Sequence, residues 1–291
     1  LGIKIMRILI IAIHYPVCSA RYAADALRRL GHDVRTDGPT TGDAIWGIQV
    51  DARHAWVAAP PEAGWSPELV ILMDSGLAVN RRWSCLVVVY GVDNHVRDYA
   101  QFDGVADHFF LAHGDGYRMG EANVSWLPCG YDPVWFRPGP PWLDRDWDAA
   151  LIGVLYGART DLLRTICTRL PQITLRASMG LLYGDYAAIY QQARLSLVCS
   201  AAGDVAQRVW ETAAMGCLLL MDACPDASAL GLVDGVNCLV YHSLDEAADR
   251  VQWALDHPDE AAEIAWAGQA WAAPGTWDAR LSEIVRWAEG R

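Results

Sequence analysis

The sequence predicts an α/β protein made of two Rossmann-like domains facing each other across a cleft. Three observations carry this. Short β-branched apolar runs alternate with helix-length amphipathic segments; glycines stand where helices hand over to strands; and the whole pattern restarts after a proline-rich stretch. With 291 residues, 53% of them hydrophobic, the chain has enough apolar surface for two cores of medium size.

Arg7–Ile13 is a continuous β-branched run, the pattern of a strand buried on both faces. After the loop 14–20, a helix is expected over Arg21–Leu30, ended by Gly31, with a strand over His32–Thr36. Strand, loop, helix, glycine, strand is the opening of a doubly wound parallel sheet. Further strands are expected at Leu69–Met73, Cys85–Tyr90, His108–Ala112 and Val124–Leu127, while residues 37–66, rich in Gly, Pro and Trp, receive no assignment.

The run Phe136–Trp147 holds Pro138, Pro140 and Pro141 and reads as an extended linker. Beyond it, strands are expected at Asp148–Gly153, Ile173–Arg176, Leu195–Cys199, Cys217–Met221 and Cys238–Tyr241. Helices are expected at Arg159–Leu170, Asp185–Gln192, Val205–Gly216, Leu244–Asp256, Glu260–Trp271 and Trp277–Glu289. The expected division is a first Rossmann-like domain over 1–139, a second over 140–275, and a terminal helix over 276–291 that packs back toward the first.

A net charge of −12 removes the general attraction for phosphate backbones and anionic lipid that basic proteins have, which weakens nucleic-acid and membrane-surface roles. Eight cysteines without a C-x-x-C or paired zinc-type spacing fit free thiols in a reducing cytoplasm. Residues 6–13 are too short for a signal peptide core or a membrane span, and residues 1–5 read as sequence ahead of a start at Met6.

The helix expected at 205–216 is apolar except for Arg208 and Glu211, three positions apart on one face. Burying an unpaired charge costs several kcal/mol, so a pair in such a helix calls for a partner; the alternative is an i, i+3 ion pair on a solvated face. Gly153-Val-Leu-Tyr156-Gly-Ala-Arg159 follows a strand and opens a helix, where backbone N–H groups and Arg159 form an anion site. His14, Asp74-Ser75-Gly76 and Asp93-Asn94-His95 each follow the carboxyl end of a strand, where ligands of such sheets bind. His108 and His113, within or beside a strand, read as structural.

Residues 190–289 resemble the C-terminal domain of GT-B glycosyltransferases, in the branch of spore maturation protein B allied to retaining family four. The resemblance lies in Tyr190-Gln-Gln-Ala-Arg-Leu-Ser-Leu197, Asp204-x-x-x-Arg208-x-x-Glu211-x-x-Ala-x-Gly216, Leu219-x-Met-Asp222, Asp234-Gly-Val-Asn-Cys-Leu-Val-Tyr241, Asp245-Glu246 and Thr276-Trp-Asp-Ala-Arg280. Upstream, Trp126-Leu-Pro-x-Gly-x-Asp132 and Phe136-Arg-Pro138 are similar to the segment before the interdomain linker of that group. The resemblance implies a metal-independent, retaining enzyme with no cofactor, using a nucleoside diphosphate sugar (a UDP-sugar first) and a hydroxyl acceptor. It places Glu211 on the ribose hydroxyls, and Arg208, Arg159, Gly153 and Tyr156 near the diphosphate. The loop Met179–Tyr183 frames the base, with Tyr183 stacked on it.

On the acceptor side the resemblance points to Asp93, with His95 and His14 as candidate catalytic groups; a required His14 would favour inversion. One departure stands out. Related retaining enzymes carry an acidic residue eight positions before the glutamate, and here that position is Gly203. Asp204 beside it reads as the helix N-cap first and a sugar contact second. No DxD metal motif occurs on a suitable loop. The competing readings are a non-catalytic nucleotide-sugar-binding module and a nucleotide-sugar epimerase of the same fold.

Overall fold

The computed structural model describes residues 4–15, 18–39, 55–56, 64–73, 78–79 and 83–291. The chain forms two compact units, Leu1–Cys129 with Trp277–Arg291, and Gly130–Thr276.

In the first unit, β1 (Arg7–Ile11), β2 (Asp33–Asp37), β4 (Leu69–Met73), β6 (Leu86–Gly91), β7 (His108–Leu111) and β8 (Val124–Trp126) form one sheet in the order β2-β1-β4-β6-β7-β8, every pair parallel. The two-residue strands β3 (Ala55–Trp56) and β5 (Ala78–Val79) pair separately. β4 is buried at all five positions, as its unbroken apolar sequence requires. Helix α1 (Ser19–Arg29) buries Ala20, Tyr22, Ala23, Ala24, Ala26 and Leu27, and Gly31 (φ 91°) turns the chain out of it. Helix α7 (Trp277–Glu289) packs on α1; Trp277 is fully buried edge-on to Tyr90, and Arg29 forks onto Asp278 at 2.7 and 2.9 Å.

The second unit holds β9 (Trp147–Ile152), β10 (Leu175–Ser178), β11 (Ala193–Val198), β12 (Leu218–Asp222) and β13 (Leu239–Tyr241), again all parallel, in the order β10-β9-β11-β12-β13. The order reverses between β9 and β11, so the loops after these two strands flank a ligand crevice. Helices α2 (Gly157–Arg169), α3 (Tyr183–Gln191), α4 (Gln207–Ala214), α5 (Leu244–Asp256) and α6 (Pro258–Ala272) complete it. Ser243 caps α5 by accepting from the Glu246 N–H, and Glu246 reaches back to the His242 N–H; Pro258 opens α6.

The expected linker is packed structure inside this second unit. Trp142 is buried and donates to Arg194 O at 2.7 Å, Gly139 N–H donates to Met215 O, and Gln191 holds Arg137 O. Arg145 is 4% exposed and reaches only carbonyls and one sulfur: Pro140 O (3.2 Å), Ala193 O (2.8 Å), Met215 O (2.7 Å) and Cys217 Sγ (3.6 Å). Prolines lack the N–H groups a sheet would need, and Arg145 supplies the donors instead.

Two outcomes follow from these contacts. Gly216 (φ 79°) has Arg145 Nη2 2.7 Å from where a Cβ would stand. Gly216→Ala therefore combines a left-handed backbone with a displaced guanidinium, and Arg145→Met takes the guanidinium donors from Pro140 O and Ala193 O and one of two donors from Met215 O; each is expected to cost about 2–4 kcal/mol in denaturant unfolding of the full chain. The second concerns acid. His32, whose Nδ1 accepts from Met6 N–H, and His108, bonded to Ser125 Oγ, have pKa values lowered by burial, His108 further by Arg291. Both are held neutral in the fold, so their contribution is complete above the unfolded value of about 6.5 and is lost as pH falls through their folded values. Melting temperatures should drop from pH 7 to 5, with a shallower slope in His108→Gln.

Candidate functional site

The crevice between β9 and β11 gathers most of the second-unit candidates. Gly153 leaves β9 with φ 140°, a conformation that side chains rarely adopt. A Cβ here would collide with Arg208 Nη2 and lie 3.5 Å from Arg159 Nη1. Glycine is thus required both by the backbone and by the guanidinium lying against it. Its own N–H is not available to a ligand, as it donates to Ser178 O at 2.9 Å. This corrects the expectation that the whole turn offers its amides to an anion.

Arg159 is the third residue of α2 and 9% exposed. It donates to Cys199 O (3.0 Å) and Val154 O (3.0 Å) and stacks over the Tyr156 ring at 4.5 Å. Tyr156 donates to the same Cys199 carbonyl at 2.7 Å, and burial raises its pKa to about 12. The Arg159 pKa is lowered by burial first and then by the charge of Arg208. Arg208 is half-buried, the second residue of α4, with Nε shielded from solvent and without a hydrogen-bond partner among the described residues. Neither arginine has a carboxylate within 4 Å among the described residues. Two like charges therefore meet at the positive ends of two helices, an arrangement an anion would relieve.

Glu211 lies one turn further along α4 and is 7% exposed. Its Oε1 accepts from Gln207 Nε2 (2.6 Å) and its Oε2 from Tyr186 Oη (2.8 Å). Burial raises its pKa, opposed by these two hydrogen bonds and by Arg208. Tyr186 packs on Tyr190, whose Oη accepts from the Ile152 N–H at 2.9 Å.

Asp204 does not cap α4. The helix begins at Gln207 with Ala206 in the cap position and no side-chain cap. The cause is the preceding loop, where Asp222 grips Ser200 through its N–H (2.9 Å) and its hydroxyl, and Ser200 Oγ accepts from Gly203 N–H. That hold, with Gly203 at φ 79°, turns the chain early and leaves Asp204 three residues short of the helix. Its backbone carbonyl accepts from Cys224 Sγ, and its Oδ1 is shielded from solvent without a partner among the described residues. Tyr183 opens α3 at φ 40° and packs against the Trp135 ring, centroids 4.8 Å apart.

In the first unit, Asn94 is fully buried and clamps the backbone of His113 from both sides, Nδ2 to His113 O (2.7 Å) and His113 N–H to Oδ1 (2.8 Å). This fixes the loop carrying Asp93 and His95. Asp93 N–H donates to Tyr99 Oη, and its carboxylate lies 3.9 Å from Arg97. The His95 ring stands edge-on to His113 at 4.4 Å, its Nδ1 shielded and without a hydrogen-bond partner among the described residues. His14 Nε2 lies 3.0 Å from Asp37 O; a carbonyl only accepts, so Nε2 carries the proton and Nδ1 is the basic nitrogen. Asp74-Ser75-Gly76 lies outside the described residues.

Sequence reasoning did not find Tyr186, Gln207 or Arg145. Gln207 stands at i−4 from Glu211, a spacing that could have shown it; Tyr186 comes from another helix and left no local signal.

Residues 150–286 match the family model described as glycosyl transferase-like. No curated protein matches the sequence. Among solved structures, sucrose-phosphate synthase from Thermosynechococcus elongatus is similar at a TM-score of 0.71 and 13% identity, covering 98% of both chains. HepE of Anabaena, in complex with UDP and glucose, matches at 0.68 and 11%, covering 98% of this chain and 100% of its own. A glycosyltransferase from Rickettsia africae matches at 0.64 and 11%, covering 99% and 98%. The chain has the fold of GT-B glycosyltransferases, and the stretch that is similar to the glycosyl transferase-like family model, residues 150–286, is a little under half of it.

Proposed function

We propose that this protein transfers a sugar from a nucleoside diphosphate donor, UDP-linked in the first instance, to a hydroxyl acceptor, with retention and without a metal, as a member of the branch of spore maturation protein B. The observation that carries the reading is the pair Arg159 and Arg208, brought against Gly153 at the starts of α2 and α4 with no carboxylate within 4 Å among the described residues; Glu211, a turn along α4, favours the Arg208 charge from further off. A diphosphate supplies the missing charge, and guanidinium forks match its oxygens. HepE, in complex with UDP and glucose, supports uridine as the base to test first.

In this reading Glu211 accepts the ribose hydroxyls and Tyr183, backed by Trp135, faces the base. The bond from the anomeric carbon to the diphosphate breaks through an oxocarbenium-like transition state, with the growing phosphate charge stabilised by the two guanidiniums and helix N-termini. The acceptor oxygen bonds to the same face, and its proton passes to the departing diphosphate, so no protein nucleophile is needed. Asp93, His95 and His14 of the first unit serve the acceptor. Arginine neutralisation of the phosphate is the basis for metal independence. Free thiols at all eight cysteines support a cytoplasmic setting, and among the described residues no helix is long and apolar enough to cross a membrane.

A second reading has its own observation. Gly203 stands, at φ 79°, where related retaining enzymes carry an acid, which supports a module that binds nucleotide sugars without turnover.

Thermal shift and calorimetry with UDP should show Arg208→Ala and Arg159→Ala each weakening binding roughly 10- to 100-fold, the loss expected for a charge-assisted hydrogen bond. Equal UDP affinity in wild type and both variants would remove the diphosphate site. With UDP-glucose and a panel of hydroxyl acceptors, the product should keep the donor's anomeric configuration by NMR, at a rate that EDTA leaves unchanged. An inverted product, or an EDTA-sensitive rate restored by manganese, would overturn the retaining or the metal-free assignment respectively; UDP binding without turnover would favour the module.

A further inference from the structure

Glu211 is a carboxylate in an environment that disfavours carboxylates. It is buried, and burial raises its pKa. What keeps the charged form competitive is on two helices: Tyr186 Oη of α3 donates to Oε2 at 2.8 Å, and Gln207 Nε2 of α4 donates to Oε1 at 2.6 Å. A carboxylate offers about four acceptor positions. One on each oxygen is filled, so one on each remains, two in all, and a vicinal diol such as a ribose 2′,3′-pair has two hydroxyls to give.

We infer that Tyr186 and Gln207 are positioning residues that fix Glu211 ionised and oriented, and that together with it they select ribonucleotides over deoxyribonucleotides. The inference rests on the assignment of Glu211 to the ribose and adds its selectivity and its dependence on two residues that do not touch the nucleotide. The oriented carboxylate gains from a 2′-hydroxyl and leaves a buried acceptor unfilled when that hydroxyl is missing, a loss larger than the hydrogen bond alone. A protonated Glu211 would have one acceptor position fewer and a donor in its place, which the diol does not need.

The groups around Glu211 fix the sign of the pH effect. Arg208 on its own helix favours the charged form, as do the hydrogen bonds from Gln207 and Tyr186; the Tyr186 pKa is pushed well above its ordinary value by burial and by Glu211, so it remains a proton donor throughout. Tyr190 on α3 is likewise raised by burial and stays neutral, and Arg159 acts through Arg208. Removing either donor therefore raises the Glu211 pKa further, and affinity for a ribonucleotide should fall at a higher pH as the solution is acidified.

The test is calorimetric titration of the full chain with UDP and with 2′-deoxy-UDP between pH 5 and 8.5, for wild type, Tyr186→Phe and Gln207→Met. Wild type should prefer UDP by about tenfold or more. In each variant the preference should shrink, and the pH at which UDP binding weakens should rise by about one unit, while 2′-deoxy-UDP, which keeps one of the two hydroxyls, loses less. Two variants on different helices, both checked by thermal melting, separate this from misfolding, which would weaken both nucleotides alike. Variants that keep the wild-type preference and pH profile, or lose both nucleotides equally while folded, would overturn this inference alone. A wild type that binds UDP and 2′-deoxy-UDP equally would overturn the ribose assignment and this inference with it.

Discussion

The second unit depends on one buried cation, Arg145, that meets carbonyls and no carboxylate among the described residues. Arg145 spends its guanidinium on Pro140 O, Ala193 O and Met215 O, drawing together the proline-rich segment, the start of β11 and the end of α4. A cation at a helix C-terminus is favourable, and here it also satisfies a carbonyl left over where α4 stops. Fixing the far end of an eight-residue helix fixes its near end, because so short a helix has little room to pivot. The near end carries Arg208 and, a turn on, Glu211. The geometry of the candidate site thus traces back to a residue that takes no part in it.

At that site the electrostatics run the other way. Arg145 is sated by carbonyls, whereas Arg159 and Arg208 share a small space without a carboxylate within 4 Å among the described residues, and the Arg208 charge disfavours that of Arg159. Arg159 does hold two carbonyls, Cys199 O and Val154 O, which fixes its position without cancelling its charge. Both arginines sit in the first turn of a helix, where the dipole disfavours them. Burial and the neighbouring Arg208 both disfavour the charge of Arg159, and groups perturbed in this way concentrate where a ligand completes them.

Much of this was legible in the sequence where one segment contains its own explanation. The β4 run, Leu69–Met73, is buried on both faces and reads so; α5, with Ser243 and Glu246 three apart, announces its own start. Arg208 and Glu211 stood out because their neighbours Val209, Trp210 and Ala213 are buried. What failed did so for tertiary reasons. Asp204 has the residue type and place of an N-cap, but Asp222, eighteen residues on, holds Ser200 and sets where the helix begins. The prolines of 138–141 do mark an extended segment, yet Trp142 and Arg145 bury it. Tyr186 reaches Glu211 from another helix, a contact no local pattern encodes.

The charge of the whole chain and the charge of the site oppose each other, and distance decides between them. A net −12 repels a nucleoside diphosphate on approach. At physiological ionic strength that repulsion is screened over about 8 Å, while two guanidiniums against Gly153 act within contact range and partly out of water. On the proposed reading, attraction for an anion is therefore confined to the surroundings of the two guanidiniums. The same arithmetic bears on turnover. On the proposed reading, transfer leaves a free diphosphate with more negative charge than its sugar ester, so two arginines that stabilise the leaving group would also hold the product more tightly than the donor. Arg159 is anchored to the Cys199 and Val154 carbonyls, whereas the charge of Arg208 is favoured by Tyr190, Tyr186 and Glu211, so the two guanidiniums are held by different kinds of partner.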